Sequence, residues 1–131
     1  MSKEHPPKGF NPFADLIGLQ FTHRTKGHSE CELQVREELL NPARYLHGGV
    51  MYAMADTGMG AAIFPELADD ESCATVEIKM SYLRPVAQGT LTCATTMIQK
   101  GKTLAVFESE LKNGGKVVAK ALGTYMIFKK K

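Results

Sequence analysis

Residues 50–64 read VMYAMADTGMGAAIF, from Val50 to Phe64, and Pro65 follows directly. Ala, Met and Gly dominate the stretch, and no polar stripe recurs at the period of an α-helix. A single charge, Asp56, interrupts it, and it is too short to cross a bilayer. The composition predicts a helix over 50–64, buried on nearly every side and ended by Pro65. Such a helix needs a sheet curved around it. Gly58, Gly60, Ala61 and Ala62 would let that sheet come close.

The flanks have a different period. Across His28–Glu37, Ser29, Cys31, Leu33 and Val35 alternate with Glu30, Glu32, Gln34 and Arg36, the pattern of a strand with one buried face. A first strand fits Gly18–Thr25, and Asn11–Ile17 suits a short helix with Asn11 as N-cap and Pro12 at its first position. Residues 1–8 read as a flexible lead-in. Beyond Pro65, an acidic loop runs from Glu66 to Ser72. Then Val76, Ile78, Met80 and Tyr82 alternate with Thr75, Glu77, Lys79 and Ser81. Thr90–Gln99 and Thr103–Lys112 follow turns at Gly89 and Gly101, Asn113-Gly114-Gly115 is a hairpin signal, and Val117–Phe128 closes the chain. The order is strand, strand, buried helix, then four antiparallel strands. That is an α+β fold, a long central helix wrapped by a curled antiparallel sheet of five to six strands. We divide the chain into a lead-in with a short helix (1–15) and a single domain (16–131).

Composition narrows the function classes. A chain of 131 residues is one domain's worth, with 44% apolar and 23% charged residues. A net charge of +2 does not argue for nucleic acid, and Lys129-Lys130-Lys131 reads as a solvated tail. Cys31, Cys73 and Cys93 show no CxxC spacing and read as reduced packing residues of a cytoplasmic protein. The N-terminus has no apolar signal core. His5, His23, His28 and His47 form no HxH or HxxxH pair, so no metal site is expected.

Asp56 is the informative residue. A carboxylate within an apolar helix costs several kcal/mol unless it is satisfied. It either caps neighbouring backbone at a wet edge or has a chemical use. His47-Gly48-Gly49 stands just before the helix, where unpaired N–H groups and the positive dipole end suit a polarised carbonyl oxygen. The same glycines also fit a plain turn. Gly48 and Asp56 are eight residues apart, or about 12 Å along one helix. Reacting groups must come within about 3–3.5 Å. One chain therefore cannot apply both to one carbonyl, but two antiparallel helices across a two-fold axis could.

Asn41-Pro42-Ala43-Arg44-Tyr45-Leu46-His47-Gly48-Gly49, followed by Ala55-Asp56, resembles the signature of hotdog-fold acyl-CoA thioesterases of the phenylacetate-degradation type. Ser81-Tyr82-Leu83-Arg84-Pro85 and Gly101-Lys102-Thr103-Leu104-Ala105 resemble later segments of that family, and the likeness runs from Leu16 to Phe128. The resemblance implies hydrolysis of an acyl-CoA thioester with no cofactor beyond the CoA of the substrate. Gly48 would donate its N–H to the thioester carbonyl, with Asn41 and His47 positioning that end. Asp56 would act as general base, or as nucleophile through an anhydride, and Thr75 would orient the water. It also implies a homodimer, commonly paired into a homotetramer, and no nucleic-acid or membrane partner.

Such catalysis asks for an ionised acid, so Asp56 needs a compensating hydrogen bond. No G-x-S-x-G is present. Arg84, Lys100 and Lys102 are candidates for the CoA phosphates, and Gly49 and Tyr52 for substrate contact. Met51, Met54, Met59 and Phe64 could line an acyl pocket or pack the core. Two other classes fit the same architecture, an acyl-CoA-sensing module without turnover and a dehydratase of hydroxyacyl thioesters. The first lacks length for an added domain, and the second carries its histidine well upstream of the acid.

Overall fold

The long helix forms where its neighbours can cap it. In a computed structural model describing residues 9–131, the elements are α1 (Pro12–Ile17), β1 (Gln20–Thr25), β2 (His28–Gln34), α2 (Gly48–Ile63), β3 (Glu71–Tyr82), β4 (Thr90–Lys100), β5 (Leu104–Asn113) and β6 (Lys116–Lys129). The strands form one antiparallel sheet in the order β1-β2-β4-β5-β6-β3. It curls around α2, which gives the helix-in-sheet fold expected from the sequence. The lead-in expected over 1–8 lies outside the described residues.

Local chemistry sets the ends. Asn11 caps α1 by accepting the Ala14 N–H at 3.1 Å, and Gly18 closes it at φ 78°, so β1 begins only at Gln20. β2 stops at Gln34 rather than Glu37, because Glu37–Leu39 winds into a 3₁₀ turn. α2 starts at Gly48, two residues before the expected Val50, since His47 supplies the cap. It ends at Ile63, and Pro65 lies in the 3₁₀ turn that follows. Gly114 and Gly115 make the β5–β6 turn with φ of 61° and 79°, the left-handed pair that a two-residue hairpin requires.

The core sits between α2 and the concave face. Val50, Met51 and Met54 pack with Leu33, Leu91 and Leu111, while Ala55, Met59 and Ile63 pack with Phe107, Tyr125 and Ile127. Each large apolar side chain so buried contributes about 1.5–3 kcal/mol. Met51, Met54 and Met59 are therefore core residues in the single chain. The sheet presses close on the helix at Gly58, where an added Cβ would lie 2.7 Å from Thr95 Oγ1, and at Gly123 on β6, where one would lie 2.5 Å from the Met59 sulfur.

Two expectations need correction. α2 is not buried all round: Tyr52 is exposed, and Ala53, Asp56, Thr57 and Gly60 are half-exposed, a stripe at helical spacing along one side. Small and aromatic residues carry no polar period, so sequence could not reveal it. Asp56 is accordingly half-buried rather than enclosed. The second concerns β3. A bulge between Thr75 and Glu77 puts Val76 out of register. Simple alternation placed Thr75 with Glu77, away from Ile78 and Met80. The extra residue reverses that parity, so Thr75 faces α2 as Ile78 and Met80 do.

Candidate active site

Two groups of side chains gather at opposite parts of α2. At its start, His47 is the N-cap, and its Nδ1 accepts the Gly49 N–H at 2.8 Å. That bond makes Nδ1 the accepting nitrogen of the ring. The two glycines have internal reasons to be glycine. A Cβ on Gly49 would lie 2.9 Å from His47 Nδ1, and one on Gly48 would lie 3.0 Å from the Tyr82 ring. Tyr82 donates its hydroxyl to the Gly48 carbonyl at 2.7 Å, and burial followed by the nearby Tyr52 raises its phenol above the usual range. Among the described residues the Gly48 N–H donates no bond, so it remains open at the positive end of the helix dipole.

Asn41 stands beside this point. Its Oδ1 accepts the N–H groups of Ala43 (3.0 Å) and Tyr45 (3.2 Å), holding the loop in which Arg44 adopts φ 69°. The Nδ2 group is left without a partner among the described residues. Asn41, His47, Gly48, Gly49, Tyr82 and Arg84 line a cleft of about 560 Å³. It is therefore rich in donors at one end and carries a cation at its rim.

Asp56 is not part of this cleft. Its side chain meets β3 and β6, where Thr75 and Tyr125 are cross-strand partners. Thr75 Oγ1 donates to Asp56 Oδ1 at 2.8 Å, and the Tyr125 hydroxyl lies 2.5 Å from the same oxygen and 2.6 Å from the Asp56 carbonyl. Asp56 Oδ2 accepts no bond among the described residues. Burial and then the bond to Asp56 hold the Tyr125 phenol protonated well beyond its usual range. Burial, and secondarily the Asp56 carboxylate, raise the Cys73 thiol as well.

The residues singled out from the sequence thus divide. Asn41, His47, Gly48, Gly49 and Arg84 share the cleft. Asp56 and Thr75 meet on the open side of α2. Tyr52 lies on the exposed stripe, with its hydroxyl 3.5 Å from the Ile78 carbonyl. Phe64 is half-exposed and meets the Phe10 ring in a tilted contact with centroids 6.0 Å apart. Lys100 pairs with Ala105, Ala105 with Tyr125, and Tyr125 with Thr75, so the Lys100–Lys102 turn belongs to the Asp56 end and not to Arg84's. Tyr125 was missed. A tyrosine at an inward position of the last strand reads as core, and only the strand register reveals its hydroxyl's partner. Among the described residues no three His, Cys, Asp or Glu side chains could hold a metal ion, and no helix is long and apolar enough to cross a membrane.

A family model described as "Thioesterase superfamily" matches residues 44–120. An esterase-named protein of Saccharolobus solfataricus is 35% identical over 118 residues, covering 88% of this chain and 83% of its own. The 1,4-dihydroxy-2-naphthoyl-CoA hydrolase of Listeria monocytogenes is 28% identical over 97 residues, covering 74% of this chain and 79% of its own. Among solved structures, a variant of the phenylacetic acid degradation protein of Thermus thermophilus superimposes with a TM-score of 0.83 at 26% identity, covering 88% of this chain and 98% of that one.

Proposed function

The chain belongs to the thioesterase superfamily, and on that premise we propose that it hydrolyses an acyl-CoA thioester to free CoA and a carboxylic acid. The observation that carries this reading is the pair of hydroxyls on Asp56 Oδ1. They hold one carboxyl oxygen and leave the other unoccupied among the described residues. In the reaction, the Gly48 N–H and the Asn41 amide polarise the thioester carbonyl, and His47 holds the helix start through Gly49. Asp56 takes a proton from water as the water oxygen bonds to the carbonyl carbon. Collapse of the tetrahedral intermediate breaks the C–S bond, and the thiolate recovers that proton. Anhydride formation by Asp56 is the alternative route, and trapping of an acyl-enzyme distinguishes it.

The site is shared between two copies. Gly48 and Asp56 stand about 12 Å apart along α2. β3 is a sheet edge paired on one side only, and the exposed stripe of α2 lies on its side with Asp56. A two-fold axis there sets one copy's cleft against the other's Asp56 and Thr75. The same operation brings Arg84 of one copy toward Lys100 and Lys102 of the other, a cationic rim suited to the CoA phosphates. Gly49 and Tyr52 lie along the seam and contact substrate. Two such dimers form the tetramer. The three free cysteines suit a reducing, cytoplasmic setting.

Free-thiol release from a panel of acyl-CoAs tests the activity. Asp56→Asn should lower kcat by at least about a hundredfold; undiminished release would overturn the reading. Co-expressed Asp56→Asn and His47→Ala chains test sharing, because a hybrid dimer regains one intact site. No recovery in the hybrid would place each site within one chain.

A further inference from the structure

Resting on the hydrolase reading, the geometry points to Tyr125 as a positioning residue. With Thr75 it pins Oδ1 of Asp56, and so makes Oδ2 the atom that takes the proton from water.

The argument begins with proton counting. The Tyr125 hydroxyl has one proton and two acceptors within reach, the Asp56 carbonyl at 2.6 Å and Oδ1 at 2.5 Å. The carbonyl is a neutral acceptor already within the α2 ladder. The carboxylate is charged, and hydrogen bonds to ionised groups are about twice as strong as neutral ones. The proton therefore goes to Oδ1. Thr75 also has one proton, and it too is committed to Oδ1, at 2.8 Å. Oδ1 is then saturated by two donors, while Oδ2 has none among the described residues.

Water held beside this cluster meets two acceptors, Oδ2 and the lone pairs of Thr75 Oγ1. It gives one hydrogen to each, which turns its own lone pair away from the protein and toward a carbonyl carbon. Tyr125 never touches the water. It acts by fixing the carboxyl plane. Its own placement is rigid: the residue is 5% exposed, and its ring meets Phe107 edge-on at 5.4 Å and 71°. β6 sets the height of the hydroxyl, and the Thr75 rung places both donors on one oxygen. Thr75, Cys73 and Tyr125 are the groups facing the acid from β3 and β6.

Tyr125→Phe keeps the ring and removes only the hydroxyl. It should lower kcat about ten- to a hundredfold at neutral pH with KM within about twofold. A purely structural role would raise KM or lower Tm along with kcat. An unchanged kcat, or a loss of activity that only tracks a lower Tm, overturns the inference. A second measurement is independent of turnover. The downfield phenolic hydroxyl proton expected in the NMR spectrum should vanish in Tyr125→Phe, move upfield in Asp56→Ala, where the backbone carbonyl is the acceptor left, and stay in place in Thr75→Val. An unchanged position in Asp56→Ala overturns the inference even if hydrolysis stands. An upfield move there supports the pinning even if Asp56→Asn keeps full turnover and the hydrolase reading fails.

Discussion

Replacing Gly58 by Ala should destabilise the protein, although alanine is the better helix former. The new Cβ would lie 2.7 Å from Thr95 Oγ1 and 3.4 Å from Ser29 Oγ. Neither neighbour can give way cheaply. Thr95 is fully buried with its Oγ1 2.7 Å from Ser109 Oγ, and Ser29 Oγ donates to the Gly58 carbonyl at 2.7 Å. Overpacking of this kind costs about 1–3 kcal/mol. Straining the buried Thr95–Ser109 bond adds about 1 kcal/mol. The helix-propensity gain returns about 1 kcal/mol. The net loss is about 1–3 kcal/mol, or a Tm lower by about 4–12 °C. Gly60→Ala, on the same helix, is the control. Its Cβ would come no nearer than 3.6 Å to the Tyr125 hydroxyl, so it should gain about 0.5–1 kcal/mol. Urea unfolding at fixed protein concentration checks both. A Gly58→Ala variant as stable as the parent would refute the claim that the sheet is pressed onto the helix there.

Gly49→Ala should cost about 1 kcal/mol and reduce turnover, because its Cβ at 2.9 Å from His47 Nδ1 displaces the cap; circular dichroism melts and thiol release measure the two effects. Stability should fall in alkali. The folded chain holds the Tyr125 proton more tightly than the unfolded chain, whose tyrosines ionise at about pH 10. The contribution is therefore complete below about pH 10 and is lost as pH rises further. Urea midpoints across that range should drop less steeply in Tyr125→Phe. Cys73, its thiol raised by burial and then by Asp56, should react slowly with a disulfide reagent at neutral pH and faster in Asp56→Asn. Equal rates in the two proteins would separate Cys73 from the acid.

The fold was legible because each element announced itself locally. The apolar run over 50–64, the alternation from Ser29 to Val35 and the Asn113-Gly114-Gly115 turn each demand one kind of structure. Asp56 stood out for a similar reason, as one charge where burial makes charge costly. What stayed hidden depends on register. The Val76 bulge cannot be read from alternation, which groups Thr75 with Glu77 and apart from Ile78 and Met80. Tyr125 looked like any inward aromatic until β6 was aligned with β3. The glycines at 48 and 49 stand at an amide-rich helix start, and each also yields room to a neighbouring side chain, Tyr82 or His47, which only the folded chain reveals.

The extra residue in β3 also matters for engineering. Thr75 pairs with Tyr125 and Glu77 with Thr124, so the rungs on both sides of Val76 are already consecutive on β6. Excising Val76 would close the strand without moving a partner or turning a side chain over. Only the local bend would relax. That makes position 76 a dial on how the threonine is aimed, adjustable by one deletion while the rest of the scaffold keeps its pairing.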